Sequence, residues 1–181
     1  EGKKTISTAI SFHYKRLGNA IRHELEENGG DIATALKNTK TPKANIMMIG
    51  PSGCGKTYTA EVSSELVNVP FIKQDMTKFS ETGYVGQNLS DVLVDLFISA
   101  QGNPYLAQIG MVYLDEIDKV AAENVCGRDV SGKGVQNGLL KLVEGMDNTL
   151  DLGMQKIPLS TKHVLFIASG AYENLETIVK K

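Results

Sequence analysis

Apolar side chains recur every three or four residues near the N-terminus, which is the spacing of one face of a helix. The series is Ile6, Ile10, Tyr14, Leu17, Ile21 and Leu25. Asn28-Gly29-Gly30 predicts the end of this helix, because glycine readily adopts the left-handed conformation that follows a helix. Residues 31–43 show little periodicity, so we expect a mostly polar connection there.

Beyond residue 44 the chain alternates short apolar runs with longer helical patterns. The runs predicted as buried strands are 46–49, 70–75, 111–114 and 163–168, and the predicted helices are 56–67, 89–97 and 135–143. Strands and helices that alternate at these lengths predict right-handed βαβ units in a mainly parallel sheet, so the fold class is α/β. Ligands bind such sheets at the carboxyl ends of the strands. The residues that follow the strands are therefore the first candidates for chemistry.

Composition and charge narrow the class of protein. The chain has 181 residues, of which 41% are hydrophobic, so it can bury the core of one domain. Its formal net charge of −2 provides no overall basic field for nucleic acid or anionic lipid. Cys54 and Cys126 are too few for a disulfide framework, which agrees with a reducing compartment. No apolar run approaches the length of a membrane span, so we expect a protein of the cell interior.

Residues 50–57, GPSGCGKT, match the phosphate-binding pattern GxxxxGK(S/T), and they lie between a predicted strand and a predicted helix. Glycines allow successive backbone N–H groups to turn toward a phosphate, and the helix N-terminus adds to the attraction. Lys56 is expected to bring a positive charge to the β- and γ-phosphates, and Thr57 a hydroxyl to Mg²⁺. The motif therefore predicts a site for ATP or ADP with Mg²⁺. The residues expected to contact the nucleotide are Pro51, Ser52, Gly53, Cys54, Gly55, Lys56, Thr57 and Tyr58.

The alternative interpretation of this motif is a glycine-rich turn that binds nothing. All eight residues match the pattern and lie between a predicted strand and a predicted helix, which argues against that alternative. Cys54 occupies a variable position of the loop. A redox role is open for this thiol, although a small filler is the simpler interpretation.

A second candidate lies where the third predicted strand ends in acidic residues. Asp115 follows Met111-Val112-Tyr113-Leu114 directly, which places it to hold Mg²⁺, and Glu116 can polarise the water that attacks the γ-phosphate. The alternative is a capped strand end with solvated carboxylates. We expect Asp118 and Lys119 to be structural, setting the turn and pairing locally.

Residues 81–88, ETGYVGQN, hold Tyr84 and Val85 between two glycines. Alone, such a tetrapeptide is usually a turn whose ring folds back onto the core. Together with the phosphate loop and the acidic strand, however, it resembles the AAA+ protein unfoldases of the Clp family, the ClpX group most and the HslU group next. The matching segments are SFHYKRL (11–17), NIMMIGPSGCGKT (45–57), VPFIKQDMTKFSETGYVG (69–86), VYLDEIDK (112–119), RDVSGKGVQNGLLKLVEG (128–145) and VLFIASGAY (164–172).

The resemblance implies a P-loop NTPase of the AAA+ type that assembles into a homo-hexamer and uses ATP hydrolysis to pull unfolded or tagged proteins through a central pore, with a ClpP-like peptidase as a further partner. It also implies the bacterial cytosol, or the mitochondrial matrix. Tyr84 and Val85 match residues that grip the polypeptide, and Arg128 lies in a matching second pore loop. Ser169 lies where the family senses the γ-phosphate. The residues that match the nucleotide machinery are Lys56 and Glu116, with catalytic roles, and Thr57 and Asp115, with metal-binding roles.

On the same resemblance, residues 1–44 are expected to form an N-terminal helix and its connection, and residues 45–181 an incomplete large AAA+ subdomain. The family's fifth strand, arginine finger, second sensor arginine and small lid domain would follow residue 181. We therefore expect the isolated chain to be nearly inactive as an ATPase, because an arginine supplied by a neighbour accelerates such reactions by about 10³–10⁵-fold. Residues 146–162 lack the Arg-Lys-His run of the ClpX group, which puts tag preference in doubt.

Two other functions use the same core. A nucleic-acid motor or clamp loader would need a basic stripe and stacking aromatic residues, whereas this chain has no Trp and a net negative charge. A nucleotide-switched scaffold would bind ATP without cleaving it, and Glu116 argues against that alternative.

Overall fold

The computed structural model describes residues 2–79, 89–120, 133–153 and 155–172. Its helices are α1 (Gly2–Glu27), α2 (Ile32–Asn38), α3 (Lys56–Val67), α4 (Leu89–Ser99), α5 (Pro104–Ala107) and α6 (Lys133–Glu144). Its strands are β1 (Ile46–Ile49), β2 (Phe71–Asp75), β3 (Met111–Asp115), β4 (Asp147–Asp151), β5 (Lys156–Ser160) and β6 (Leu165–Gly170). Short 3₁₀ turns, Met76–Lys78 and Ile117–Lys119, follow β2 and β3.

Four strands form the central sheet in the order β1-β6-β3-β2, and every neighbouring pair is parallel. The α/β fold class predicted from the sequence is thereby confirmed: a mainly parallel sheet flanked by helices. The phosphate loop follows β1, and Asp115 ends β3, so both lie at the carboxyl edge of the sheet. Because β6 lies between these two strands, its own last residues are brought to the same edge.

Apolar side chains cover both faces of the sheet. On one face, Ile10 of α1 and Ala60 of α3 pack with Met111, Tyr113 and Ile167. On the other face, α4, α6 and the β4–β5 hairpin enclose a larger cluster, which includes Val92, Leu96, Leu142, Leu150, Leu159 and Phe166. Residues 111–114 of β3 are completely buried, as expected for a strand covered on both faces.

The predicted N-terminal helix is present as α1, with Ile10, His13 and Leu17 on its buried side. It ends as predicted: Gly29 and Gly30 have φ angles of 64° and 87°, and Gly30 N–H donates to the Leu25 carbonyl at 2.9 Å. Among the helices of the described residues, none combines the length and the apolar character that crossing a membrane requires.

The mostly polar connection predicted for residues 31–43 contains a helix that the prediction missed, α2. The Asp31 carboxylate caps the helix by accepting a hydrogen bond from Thr34 N–H at 3.1 Å. Ala35 and Leu36 are buried. A helix of seven residues is too short for apolar periodicity to show. The sequence feature that indicates this helix is its N-cap residue, Asp31.

Residues 146–162, predicted as a loop before the last strand, contain the antiparallel hairpin of β4 and β5. Its base is fixed by Thr161, whose hydroxyl donates to the Leu142 carbonyl and accepts from Met146 N–H, both at 2.9 Å. The following strand β6 begins at Leu165, two residues later than predicted. The shift occurs because Val164 N–H bonds back to the Thr161 carbonyl at 3.2 Å and keeps residues 161–164 in a turn.

Two buried histidines and the half-buried Lys43 lie where the N-terminal region meets this turn. Lys43 Nζ donates to the carbonyls of Thr161 and Val164 at 2.7 and 3.0 Å, and burial lowers its pKa to about 8. His163 Nε2 lies 2.8 Å from the Leu36 carbonyl. Burial also lowers the pKa of His13, to about 4. Residues 1–44 are thus fastened to the sheet by polar contacts as well as by apolar packing, while the domain boundary at residue 44 stays a prediction.

Candidate nucleotide site

The glycine-rich loop turns sharply from β1 into α3. Gly53 and Gly55 have φ angles of 76° and 84°, in the region that favours glycine, and Gly55 is the N-cap residue of α3. The N-terminal end of α3 therefore faces the space enclosed by the loop, which is the arrangement that attracts an anion.

A cavity of about 400 Å³ opens at this end of α3. Its lining combines the loop with the ends of β3 and β6: Ser52, Gly53, Gly55, Lys56, Thr57, Tyr58, Asp115, Glu116, Asp118, Lys119, Gly170 and Ala171. Eight of the residues predicted from the two sequence motifs thus share one cavity, although nearly sixty positions separate the motifs along the chain.

Lys56 lies across the mouth of its own loop. Its Nζ donates to the carbonyls of Gly50 and Pro51 at 2.7 and 2.9 Å, and it lies 3.9 Å from Cys54 Sγ. The positive charge is therefore held inside the loop, where the N-terminal dipole of α3 has the same sign. Pro51 contributes its carbonyl to this arrangement, and the Cys54 side chain is exposed.

Asp115 occupies the centre of the site, and its two oxygens have different partners. Oδ1 accepts hydrogen bonds from Ser169 Oγ at 2.7 Å and from Glu116 N–H at 3.1 Å. Oδ2 lies 3.5 Å from Thr57 Oγ1 and 3.4 Å from Lys73 Nζ. The fully buried Ser169 thus fixes the carboxylate from the β6 side.

The oxygen atoms of Asp115 and Thr57 are suitable ligands for a hard cation. The carboxylate of Asp115 and the hydroxyl of Thr57 are the oxygen ligands that Mg²⁺ prefers, and they lie 3.5 Å apart on two different elements. Thr57 Oγ1 also lies 3.2 Å from the Tyr113 hydroxyl, which holds the threonine against β3. Thr57 and Asp115 therefore fit the role of holding Mg²⁺ beside a phosphate.

Glu116 has an uncommon backbone conformation, with φ at 55° in the left-handed region. A non-glycine residue in this region costs about 1–3 kcal/mol, and such residues are enriched at functional sites. The conformation turns Glu116 away from β3 and starts the 3₁₀ turn, in which Lys119 Nζ lies 2.9 Å from Glu116 Oε2. This hydrogen bond raises the pKa of Lys119. The local pairing predicted for Lys119 is present in its contact with Glu116, whereas Asp118 accepts a hydrogen bond from Tyr172 N–H at 3.2 Å, fifty-four positions along the chain.

The remaining predicted residues, Tyr84, Val85 and Arg128, lie outside the described residues. Two contacts of the site were missed by the sequence prediction. Lys73 and Tyr113 contact Asp115 and Thr57 respectively, yet no local sequence signal marks them. The Lys73 contact follows from the pairing of β2 with β3, and the Tyr113 contact from the packing of α3 against β3.

The family model of the AAA domain (Cdc48 subfamily) matches residues 41–181. The chain therefore belongs to the AAA domain family. It is 39% identical to the ATP-dependent Clp protease ATP-binding subunit ClpX 3 of Methylococcus capsulatus over 99% of its own length. It is 38% identical to the ClpX subunits of Borrelia duttonii and Porphyromonas gingivalis, over 100% and 97% of its length. The chain spans 42–43% of the length of these relatives.

Proposed function

We propose that this chain is the ATP-binding and ATP-hydrolysing part of a ring-shaped protein unfoldase. The observation that carries the nucleotide part is the meeting of Thr57, Asp115 and Ser169 at the mouth of a glycine-rich loop that already holds the Lys56 ammonium. A metal-binding pair, an anion cradle and a polar residue from the intervening strand are the parts that phosphoryl transfer requires.

Each residue of the site has a role in this proposal. The backbone of residues 51–55 and the Lys56 ammonium bind the phosphates, while the Tyr58 side chain, 66% exposed, lines the outer wall of the cavity. Thr57 and Asp115 would hold Mg²⁺, which would supply positive charge to neutralise the phosphates. Ser169 keeps the Asp115 carboxylate in place and contributes a hydroxyl on the side of β6.

Glu116 is the proposed general base. Its carboxylate takes a proton from the water whose oxygen attacks the γ-phosphorus, the bond to ADP breaks, and ADP and phosphate leave. In the structure this carboxylate is paired with Lys119, and the side chain is 44% exposed. The Lys119 ammonium therefore holds Glu116 at the rim of the cavity until nucleotide and water are bound.

The mechanical part of the proposal rests on the relatives, whose names describe ATP-binding subunits of an ATP-dependent Clp protease. By this similarity, the full-length protein forms a homo-hexamer, acts on unfolded or tagged proteins and passes them to a ClpP-like peptidase. Tyr84 and Val85 are proposed to grip the polypeptide in the pore, with Arg128 on a second pore loop. The bacterial cytosol is the proposed compartment.

The nucleotide function is tested by titrating the chain with a fluorescent ATP analogue in the presence of Mg²⁺. We expect Lys56→Ala to weaken binding by more than about tenfold, because the charge inside the loop is lost. Glu116→Gln should retain the affinity and, in the full-length protein, lower the hydrolysis rate by about 100-fold or more. Lys162→Ala is the matched control: it removes a lysine that pairs with Asp147 at 2.8 Å, and neither residue lines the nucleotide cavity.

The same experiment separates the alternatives. Binding without any hydrolysis in the full-length protein would favour a nucleotide-switched scaffold. Hydrolysis stimulated by single-stranded DNA or RNA, but not by an unfolded protein, would favour a nucleic-acid motor or clamp loader. For the isolated 181-residue chain we expect binding with very slow turnover, and rapid hydrolysis by this chain alone would contradict a need for a neighbour's arginine.

A further inference from the structure

We propose that Lys73 is a positioning residue that holds Asp115 in the metal-free site and competes with Mg²⁺ for it, so that Lys73 sets the Mg²⁺ concentration at which nucleotide binds. This inference rests on the proposed nucleotide function. It concerns a residue outside both sequence motifs, on a strand that carries no other residue of the proposed site.

The position of Lys73 follows from the alternation of side chains along β2. Ile72 and Gln74 point into the core, and Lys73 is exposed on the opposite side. Parallel pairing places Lys73 opposite Tyr113 and Asp75 opposite Asp115. A lysine two residues before the end of β2 therefore reaches along the sheet edge, and its Nζ lies 3.4 Å from Asp115 Oδ2.

The oxygen that Lys73 contacts is the one that faces the phosphate loop. Oδ1 of Asp115 is already occupied by Ser169 Oγ and Glu116 N–H. Oδ2 is the oxygen near Thr57 Oγ1, on the side where Mg²⁺ would be held. An ammonium and a metal ion on the same oxygen repel each other, so Lys73 has to withdraw when Mg²⁺ binds.

The contacts of the two neighbouring carboxylates, Asp75 and Asp95, favour Asp115 as the partner of Lys73. The Asp75 carboxylate accepts from Thr77 N–H at 3.0 Å and pairs with Lys78 at 4.0 Å. The Asp95 carboxylate accepts from Gln74 Nε2 at 2.7 Å. These two neighbouring carboxylates therefore have partners of their own.

Lys73 also has room to withdraw. Its side chain is 49% exposed and lines an open cavity of about 490 Å³, whose lining includes Asp115 and Glu116 but no residue of the phosphate loop. The pair with Asp115 can thus open without moving the backbone of β2.

The test is the half-saturating Mg²⁺ concentration for binding of a fluorescent ADP analogue, with ADP chosen so that no γ-phosphate contributes. Lys73→Met should lower this concentration by about three- to tenfold, since one positive charge next to the metal is removed. Lys73→Arg should remain near the wild-type value. Lys78→Met is the matched control, because Lys78 is a neighbouring lysine that pairs with Asp75 and does not contact Asp115. We expect it to change the value by less than about twofold.

At saturating Mg²⁺, Lys73→Met should bind the ADP analogue with an affinity within about threefold of wild type, which also shows that the variant is folded. An unchanged or higher Mg²⁺ requirement in Lys73→Met would overturn the inference, and so would loss of ADP binding at saturating Mg²⁺. If the wild-type chain fails to bind nucleotide at any Mg²⁺ concentration, the proposed function fails together with this inference. Wild-type binding without a shift in Lys73→Met rejects the inference alone.

Discussion

Ser169 Oγ donates a hydrogen bond to Asp115 Oδ1 at 2.7 Å, and the serine is fully buried. The two residues lie fifty-four positions apart, at the ends of adjacent strands β6 and β3. A hydrogen bond to a charged acceptor is worth about 1.5–3 kcal/mol, and the Asp115 side chain is only 23% exposed to the solvent that could replace it. The bond therefore fixes which oxygen of Asp115 remains available to the phosphate loop.

Ser169→Ala should lower the ATP hydrolysis rate of the full-length protein by about tenfold while the nucleotide dissociation constant changes less than about threefold. The reason is that the phosphates are bound mainly by the loop, whereas the orientation of Asp115 matters for the reacting complex. The measurement is steady-state hydrolysis beside equilibrium binding of the ATP analogue.

Ser63→Ala is the control for Ser169→Ala, because it also removes a buried serine hydroxyl, which donates to the Thr59 carbonyl at 2.7 Å outside the cavity. It should leave both the rate and the affinity near wild type. Equal losses of rate in the two variants would show that Ser169 acts only through general stability.

The nucleotide site could be predicted from the sequence wherever a residue's role is set by its neighbours in the chain. The glycine pattern dictates the backbone of residues 50–57, and an apolar run that ends in Asp115 places a carboxylate at a strand end. The contacts of Lys73 and Tyr113 could not be predicted in this way. The contact of Lys73 with Asp115 depends on the register between β2 and β3, and the contact of Tyr113 with Thr57 depends on the packing of α3 against β3. No local pattern specifies either of them.

The sequence prediction missed α2 and the β4–β5 hairpin for physical reasons. α2 is shorter than the window in which helical periodicity becomes visible. The strands β4 and β5 each bury one residue, Leu150 and Leu159, and β5 contains Pro158, which weakens any strand pattern. Leu150 and Leu159 of the hairpin pack in the larger core, whereas α2 packs against α1 and α5.

The buried histidine pair predicts a specific loss of stability in acid. His13 has its pKa lowered to about 4, mainly by burial, while a hydrogen bond to the His163 backbone opposes that shift and the charges of Lys43, His163 and Arg16 add to it. Burial also lowers the pKa of His163, and the charges of Lys43 and Lys162 contribute in the same direction. Within the described residues, His13 Nε2 and His163 Nδ1 are buried without a hydrogen-bond partner.

A histidine with a lowered pKa binds its proton in the unfolded chain first, from about pH 6.5 downward. The free energy of unfolding should therefore be highest above about pH 6.5 and should fall between about pH 6.5 and pH 4, by about 1–2 kcal/mol from His13 by pH 5. Thermal unfolding of the chain at pH 7 and pH 5 measures this loss, and His13→Gln should reduce the difference between the two pH values.

His23→Gln is the control for the acid effect, because the His23 side chain is 68% exposed on α1 and lies 3.7 Å from Glu27 of the same helix. We expect it to leave the difference between pH 7 and pH 5 unchanged. If His13→Gln and His23→Gln gave the same pH dependence as wild type, other groups would have to account for any acid loss.

The close packing around Gly110, just before β3, leaves no room for a side chain. A Cβ atom there would lie 2.7 Å from Leu96 Cδ1, 3.1 Å from the Pro70 carbonyl oxygen and 3.2 Å from the Ala107 carbonyl oxygen. Two of these neighbours are backbone atoms, which cannot move without displacing β2 or α5. Gly110→Ala should therefore lower the free energy of unfolding by about 2 kcal/mol.

Gly18→Ala provides a control of opposite sign for Gly110→Ala. Gly18 lies inside α1, and a Cβ atom added there would meet no atom within 4 Å, so alanine should raise the free energy of unfolding by about 0.5–1 kcal/mol. Urea unfolding of the two variants measures both effects. A stabilising Gly110→Ala would contradict the close packing of residue 110 against β2 and α5.

The last prediction concerns Tyr84, which lies outside the described residues and whose role rests on the resemblance of GYVG to the unfoldase motif. A tyrosine in a pore offers a broad apolar ring that can grip any polypeptide without reading its sequence. In the full-length protein, Tyr84→Ala should therefore retain at least about half of the ATP hydrolysis rate and lose unfolding of a tagged substrate by about tenfold or more. Unfolding is measured as loss of fluorescence of a tagged fluorescent protein.

Tyr105→Ala is the matched control, because this tyrosine is 37% exposed on α5 and does not line the nucleotide cavity. If Tyr84→Ala unfolded the substrate as fast as Tyr105→Ala, ATP hydrolysis would have to be coupled to the substrate through another residue, and the pore role of Tyr84 would be wrong.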